Sequence, residues 1–97
     1  MDNFRIESFD KLFEAILKLD TIDNCRKFFE DVCTIKELQD ITQRLEVAKL
    51  LSEGKNYQEV CRLTGASTAT ISRVNKCLLY GRGGYKSVLG KGEDDNG

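Results

Sequence analysis

The sequence contains no histidine, no proline and no tryptophan. Without histidine it lacks the commonest general base at neutral pH and the commonest metal ligand. It has no C-x-x-C pair either: Cys25, Cys33, Cys61 and Cys77 stand 8, 28 and 16 residues apart. A zinc site is therefore not expected. No apolar run reaches the ~18 residues of a membrane span, and the opening Met-Asp-Asn-Phe-Arg does not read as a signal peptide. Four reduced thiols in a cytoplasmic protein are the simplest account of the cysteines, with Cys25 and Cys33 as packing residues on an apolar helical stripe and at its end. There is no phosphate-cradling loop and no nucleophile–base pair of convincing spacing, and the carboxylates scatter over surface-like helical positions. The reading is a binding protein rather than an enzyme, with no cofactor and no metal.

What is present is one small domain's worth of chain, 97 residues. A chain of this size buries about 65% of its unfolded surface, enough for one modest core but not for a large internal substrate cavity. The net charge of −1 argues at first against a polyanion partner, but it is a sum of unlike parts. Residues 1–33 carry five basic and eight acidic side chains, and residues 34–53 carry three and four. Residues 54–92 carry seven basic (Lys55, Arg62, Arg73, Lys76, Arg82, Lys86, Lys91) against Glu59 alone, a net of +6. Glu93, Asp94 and Asp95 then bring −3. Such asymmetry is the mark of a polyanion-facing surface on an otherwise acidic chain.

Strand-like alternation persists nowhere, whereas helical spacing recurs. Phe9, Leu12, Phe13, Ile16 and Leu17 define a first helix, with Ser8 as its expected N-cap. Thr21 or Asp23 caps a second, with Ile22, Cys25, Phe28, Phe29 and Val32 on one side. Thr34-Ile-Lys-Glu37 is a capping box and starts a third, whose stripe is Leu38, Ile41, Leu45 and Ala48, widened by Leu50 and Leu51. Gly54 stops it. A short fourth helix runs from after Asn56 to about Thr64, and a fifth from about Ser67 to Leu79. A glycine-rich joint and a short apolar piece, Tyr85–Leu89, follow. The expectation is an all-α fold of five main helices, one domain over residues 1–92, with residues 93–97 as a disordered acidic tail.

Residues 57–76, YQEVCRLTGASTATISRVNK, form one unit. They fit two short helices around a Gly65-Ala66-Ser67 turn, the helix-turn-helix pattern. That geometry needs a small residue where the helices cross (Cys61) and one tolerating positive φ in the turn (Gly65). It also needs apolar residues locking the helices together (Val60, Ile71, Val74), and all are in place. The outward face of the second helix is Ser67, Thr68, Ala69, Thr70, Ser72, Arg73 and Lys76. The start of such a helix enters the DNA major groove. Thr70, Thr68 and Ala69 suit base edges, because small side chains allow close approach and a threonine offers both a hydroxyl and a methyl group. Ser72, Arg73, Lys76 and Gln58 suit phosphates.

The chain here resembles the Trp repressor superfamily. The likeness spans roughly residues 33–80 and is densest at Gly65-Ala-Ser-Thr-Ala-Thr-Ile-Ser-Arg73, which is similar to the repressor's G-A-x-x-A-T-I-T-R run. Thr34, Glu37, Arg44, Leu50, Leu51 and Gly54 also fall where that family has similar residues. The whole chain, with Arg44-Leu-Glu-Val-Ala-Lys-Leu-Leu51 and Gly81-Arg-Gly-Gly-Tyr-Lys86, looks most like the small Trp-repressor-related proteins of the YerC/YecD type. The resemblance implies an intertwined homodimer holding two reading heads about one DNA turn apart, on a pseudo-palindromic site. It implies a transcriptional regulator, a repressor, with double-stranded DNA as partner. It also implies a candidate effector pocket at Thr34, Arg44 and Arg73, where the repressor sandwiches tryptophan between two arginines.

The family pattern is not fully met at that pocket. Val74 stands where the repressor has glycine, and Cys77 where it has the serine that holds the ligand's amino group. A branched side chain takes the ligand's room and a thiol is a poor hydrogen-bond partner. The segment before Gly65 is also one residue shorter than in the repressor. Tryptophan is therefore not expected as corepressor. The alternative reading is a helical dimer for protein–protein interaction, with the helix-turn-helix used as a docking surface; the acidic first two helices permit it.

Overall fold

A computed structural model describes residues 9–90 of the chain, which hold six helices and, among the described residues, no strand. They are α1 Asp10–Ile16, α2 Ile22–Val32, α3 Ile35–Ser52, α4 Tyr57–Thr64, α5 Thr68–Tyr80 and α6 Gly84–Val88. The all-α expectation holds. Ser8, expected to cap α1, lies outside the described residues, as do Lys91 and the acidic residues 93–97.

The helix ends follow from the residues foreseen. Thr21 caps α2 by accepting from Asn24 N–H at 3.0 Å. The capping box of α3 closes in both directions: Thr34 N–H donates to Glu37 Oε1 at 2.8 Å and Glu37 N–H donates to Thr34 Oγ1 at 3.0 Å. The C-terminus of α3 is a Schellman motif. Gly54 takes φ +92°, its N–H donates to Leu51 O at 3.0 Å, and Lys55 N–H donates to Leu50 O at 3.1 Å. Asn56 caps α4 by accepting from Glu59 N–H at 2.9 Å.

The chain divides into two compact units, Met1–Leu38 and Gln39–Gly97, and α3 crosses the division. In the first unit α1 and α2 contain no buried residue. Phe9, at the N-cap of α1, meets Phe13 edge to face, and Phe28 meets Phe29 within α2, so the predicted apolar stripes exist but remain partly open to solvent. Leu17 and Ile22 are 82% and 76% exposed.

The second unit holds the core: Val47, Ala48, Leu50, Val60, Ala66, Ile71 and Val74. Each fully buried Val or Ile there contributes about 1.5–3 kcal/mol relative to exposure. The stripe expected on α3 is met at Ala48 and Leu50, which are buried, and at Leu51, which packs against them; it is corrected at Ile41 and Leu45, which are exposed, and Val47 is buried without having been expected. The 3.6-residue period alone does not choose between two apolar faces of a helix carrying both. The apolar piece after α5 is a sixth helix, one more than expected. Gly83 at φ +84° turns the chain, α6 packs on α5, and Tyr85 and Leu89, four residues apart, rest against the core.

Candidate nucleic-acid interface

The α4–turn–α5 unit has the predicted boundaries at its centre. Gly65 sits in the left-handed region at φ 76°, ψ 5°, where an L side chain is strained, and its N–H donates to Cys61 O at 2.8 Å. Val60, Ile71 and Val74, expected to lock the helices together, are each 1% exposed or less. Cys61 is half-buried against the same cluster. The small residue at the crossing and the three apolar positions therefore serve one interface.

Thr64 and Gln43, given no role by the sequence reading, and Ala66, which it placed in the turn, complete it. Thr64 donates its hydroxyl to Val60 O at 2.7 Å and accepts from Ala66 N–H at 3.1 Å, so one side chain ties the end of α4 to the turn. Ala66 is 2% exposed and belongs to the core. Gln43, on α3, donates from Nε2 to Thr64 O at 3.2 Å, anchoring the turn to the long helix. The sequence signal for Thr64 was present, since a threonine one residue before a C-cap glycine can bond back to the i−4 carbonyl. The Gln43 contact joins residues 21 apart and had no local signal.

α5 begins one residue later than expected, at Thr68, because Ser67 is its N-cap. Ser67 Oγ accepts from Thr70 N–H at 3.1 Å and its hydroxyl lies 3.2 Å from Thr70 Oγ1, donating to it. Ser67 thus fixes the first turn, and Thr70, half-buried, keeps its own O–H proton for an external acceptor. Thr68, Ala69, Ser72, Arg73 and Lys76 are all exposed. Ala69, Arg73 and Lys76 follow i, i+4, i+7 and share the side of α5 opposite Ile71 and Val74. Gln58 is exposed in the first turn of α4. These sites together form a small-residue, hydroxyl-bearing start of a helix followed by two cations.

The charge around this face is uncompensated. Lys55, Arg62, Arg73, Lys76, Arg82 and Lys86 make no ion pair among the described residues, whereas Arg26 and Lys27 both reach Asp23 (3.6 and 3.3 Å) and Lys49 reaches Glu53 (3.3 Å). All six are exposed except Lys55, which is half-buried.

The residues of the candidate effector pocket come from the cap of α3 (Thr34), from α3 itself (Arg44) and from α5 (Arg73). Thr34 lies in the first unit with its hydroxyl engaged in the α3 cap. Arg44, on α3, is half-buried and Arg73, on α5, is exposed. Val74 turns into the core at 1% exposure, and Cys77 is exposed. Among the described residues no three of His, Cys, Asp and Glu gather as a metal site would require, and no helix is long and apolar enough to cross a membrane.

The sequence pattern of the Trp repressor protein family matches residues 7–93. The chain is similar to YerC of Bacillus subtilis (strain 168), itself uncharacterised, with 49% identity over 89 residues covering 92% of this chain and 86% of that protein. Among solved structures it resembles a TrpR-like protein from Eubacterium eligens, with TM-score 0.82 and 45% identity over 94% of this chain and 100% of the other. It also resembles a protein from Staphylococcus aureus put forward as a Trp repressor, with TM-score 0.84 and 41% identity over 98% of this chain and 92% of the other.

Proposed function

The chain belongs to the Trp repressor protein family, and from that membership we propose that it is a sequence-specific DNA-binding regulator of transcription, a repressor, that reads the major groove as a homodimer. The observation that carries the reading is the α4–turn–α5 unit. Its inner face is locked by Val60, Ile71 and Val74, and its outer face presents Thr68, Ala69, Thr70, Ser72, Arg73 and Lys76 with no neutralising acid.

In this mechanism the start of α5 enters the groove. Thr70 donates its free hydroxyl proton to a base acceptor such as guanine O6 or N7, or thymine O4, while its methyl group meets apolar base surface. Ala69 and Thr68 admit the backbone closely. Ser72, Arg73, Lys76 and Gln58 hold phosphates, which fixes register without carrying sequence information. The exposed apolar residues of α1 and α2 in the first unit, and separately Ile41 and Leu45 in the second, support a second copy as what covers each of them. The proposal includes no tryptophan corepressor, since Val74 fills position 74 with a core-packing branched side chain and Cys77 offers only a thiol.

Selection from random-sequence duplexes at about 50–100 mM salt tests the reading. A single enriched, pseudo-palindromic site is expected. Enrichment of no site, with protein partners that survive nuclease treatment, would instead support the docking-module alternative.

A further inference from the structure

Two threonines of the helix-turn-helix use their hydroxyl groups in opposite ways. Thr64 uses both sides of its hydroxyl inside the protein, donating to Val60 O at 2.7 Å and accepting from Ala66 N–H at 3.1 Å. Thr70 donates to no group among the described residues. Its oxygen instead accepts from the Ser67 hydroxyl, 3.2 Å away, while Ser67 Oγ accepts from Thr70 N–H at 3.1 Å. The groups form a head-to-tail chain: Thr70 N–H to Ser67 Oγ–H to Thr70 Oγ1–H. The last proton of that chain has no acceptor among the described residues.

Such a chain has a direction. An oxygen that accepts a hydrogen bond becomes a better donor, so the Thr70 amide favours Ser67 as donor, and Ser67 in turn favours Thr70 as donor. The reverse arrangement, with Thr70 donating to Ser67, leaves Ser67 Oγ accepting twice and its own proton unused within the pair. A free hydroxyl rotates to suit donor and acceptor alike, whereas this one has a lone pair filled and its proton left over. The major-groove edges of the bases differ in this respect. Guanine shows only acceptors, thymine an acceptor beside its methyl group, adenine one of each, and cytosine only a donor. We propose that Ser67 is a positioning residue that sets base specificity through Thr70: it holds the Thr70 hydroxyl as a donor and so favours guanine or thymine over cytosine at the base Thr70 meets. The proposal rests on the DNA-binding reading and names the class of base that the reading helix selects. Ser67 is exposed and 3.2 Å is long for two hydroxyls, so the chain tilts the Thr70 rotor rather than locking it, and the preference is roughly three- to tenfold.

The test is selection from random-sequence duplexes by the unmodified protein and by its Ser67→Asn, Ser67→Gly, Ser67→Thr and Thr70→Ala forms, each first shown to be folded by circular dichroism. The position to read is the one whose preference Thr70→Ala flattens. Asparagine caps a helix about as well as serine. Its oxygen has no proton to give and can accept from both the N–H and the hydroxyl of Thr70, which turns that hydroxyl round. Ser67→Asn is therefore expected to lower the ratio of guanine plus thymine to cytosine at this position roughly three- to tenfold. Ser67→Gly, which has no side chain to touch DNA, moves the ratio part of the way, and Ser67→Thr keeps it. An unchanged ratio in both Ser67→Asn and Ser67→Gly, with affinity lost evenly over all sequences, would show Ser67 to be a cap alone; that overturns the proposal and leaves the DNA reading standing. A shift in Ser67→Asn without one in Ser67→Gly traces the effect to the new amide and overturns it too, as does a Thr70→Ala profile identical to that of the unmodified protein. Enrichment of no site by the unmodified protein overturns the DNA reading and the proposal together.

Discussion

The two units of the chain are made of the same material, amphipathic helix, yet differ in what they bury and in which charges they leave unpaired. In Met1–Leu38, α1 and α2 bury no residue, while Arg26 and Lys27 share Asp23. In Gln39–Gly97 a core is built from all seven buried residues of the described chain, although Ile41, Leu45, Leu79, Tyr80 and Val88 remain exposed, and the charge is left open: six cations from Lys55 to Lys86 have no ion-pair partner among the described residues. An open apolar face calls for another protein surface, because burial is what stabilises it. An open cationic face calls for a polyanion, because releasing counterions from phosphate is what stabilises that contact. In the proposed function, the first unit, with Ile41 and Leu45 of the second, serves assembly, and the cationic face of the second serves recognition.

The largest effects separate the units by what each mutation disturbs. Ile71→Ala is expected to cost about 2–5 kcal/mol in denaturant unfolding, since it empties a fully buried site in the core. Leu17→Asp is expected to leave the core of the second unit intact. It should raise the dissociation constant of the proposed dimer at least tenfold, about 1.4 kcal/mol, by sedimentation. If Leu17→Asp leaves association unchanged, the first unit is not the assembly surface and the contrast collapses.

Next come substitutions on the reading face. Thr70→Ala is expected to cost roughly 1–3 kcal/mol at one base position and little at others, while Thr70→Ser, which keeps the hydroxyl, should lose less. A uniform loss over all sequences would move Thr70 from base reading to phosphate holding. Gly65→Ala places an L residue at φ 76° and is expected to cost about 1–2 kcal/mol of stability, lowering DNA binding only through the folded fraction.

The local sequence carried the second unit better than the first. Gly65, Val60, Ile71 and Val74 were legible because a helix-turn-helix confines its demands to about twenty consecutive residues. The Thr34–Glu37 box, Asn56 and Gly54 were legible for the same reason: a cap is settled within one turn. Gln43 was not, because its bond to Thr64 O depends on two helices being brought together. Nor was the choice of Val47 over Ile41 and Leu45 as a core residue. α3 is apolar on more than one side, which is what a helix meeting two different neighbours requires, and a single-chain periodicity does not say which neighbour belongs to the same molecule. On the reading face, exposure of Ala69, Arg73 and Lys76 followed from the period, while the commitment of Ser67 to capping Thr70 was hidden in a serine that fits either role.

The smallest effects test the charge half of the comparison, and they oppose a paired cluster to an unpaired one. Asp23→Asn removes the shared partner of Arg26 and Lys27, all three side chains being well exposed at 59–72%. Exposed pairs one turn apart on a helix contribute about 0.3–0.5 kcal/mol and are screened by salt. Its unfolding free energy should therefore fall by less than about 1 kcal/mol, and DNA affinity should hardly change, since the substitution lies outside the reading unit. Lys76→Ala is expected to do the reverse. Folding is unaffected, because no pair among the described residues is broken, while affinity for every sequence drops alike and the slope of log K against log salt becomes shallower by about 0.9. A Lys76→Ala protein that loses stability but keeps its salt slope would show that this cation is neutralised within the protein, and would erase the distinction between the two units where it is sharpest.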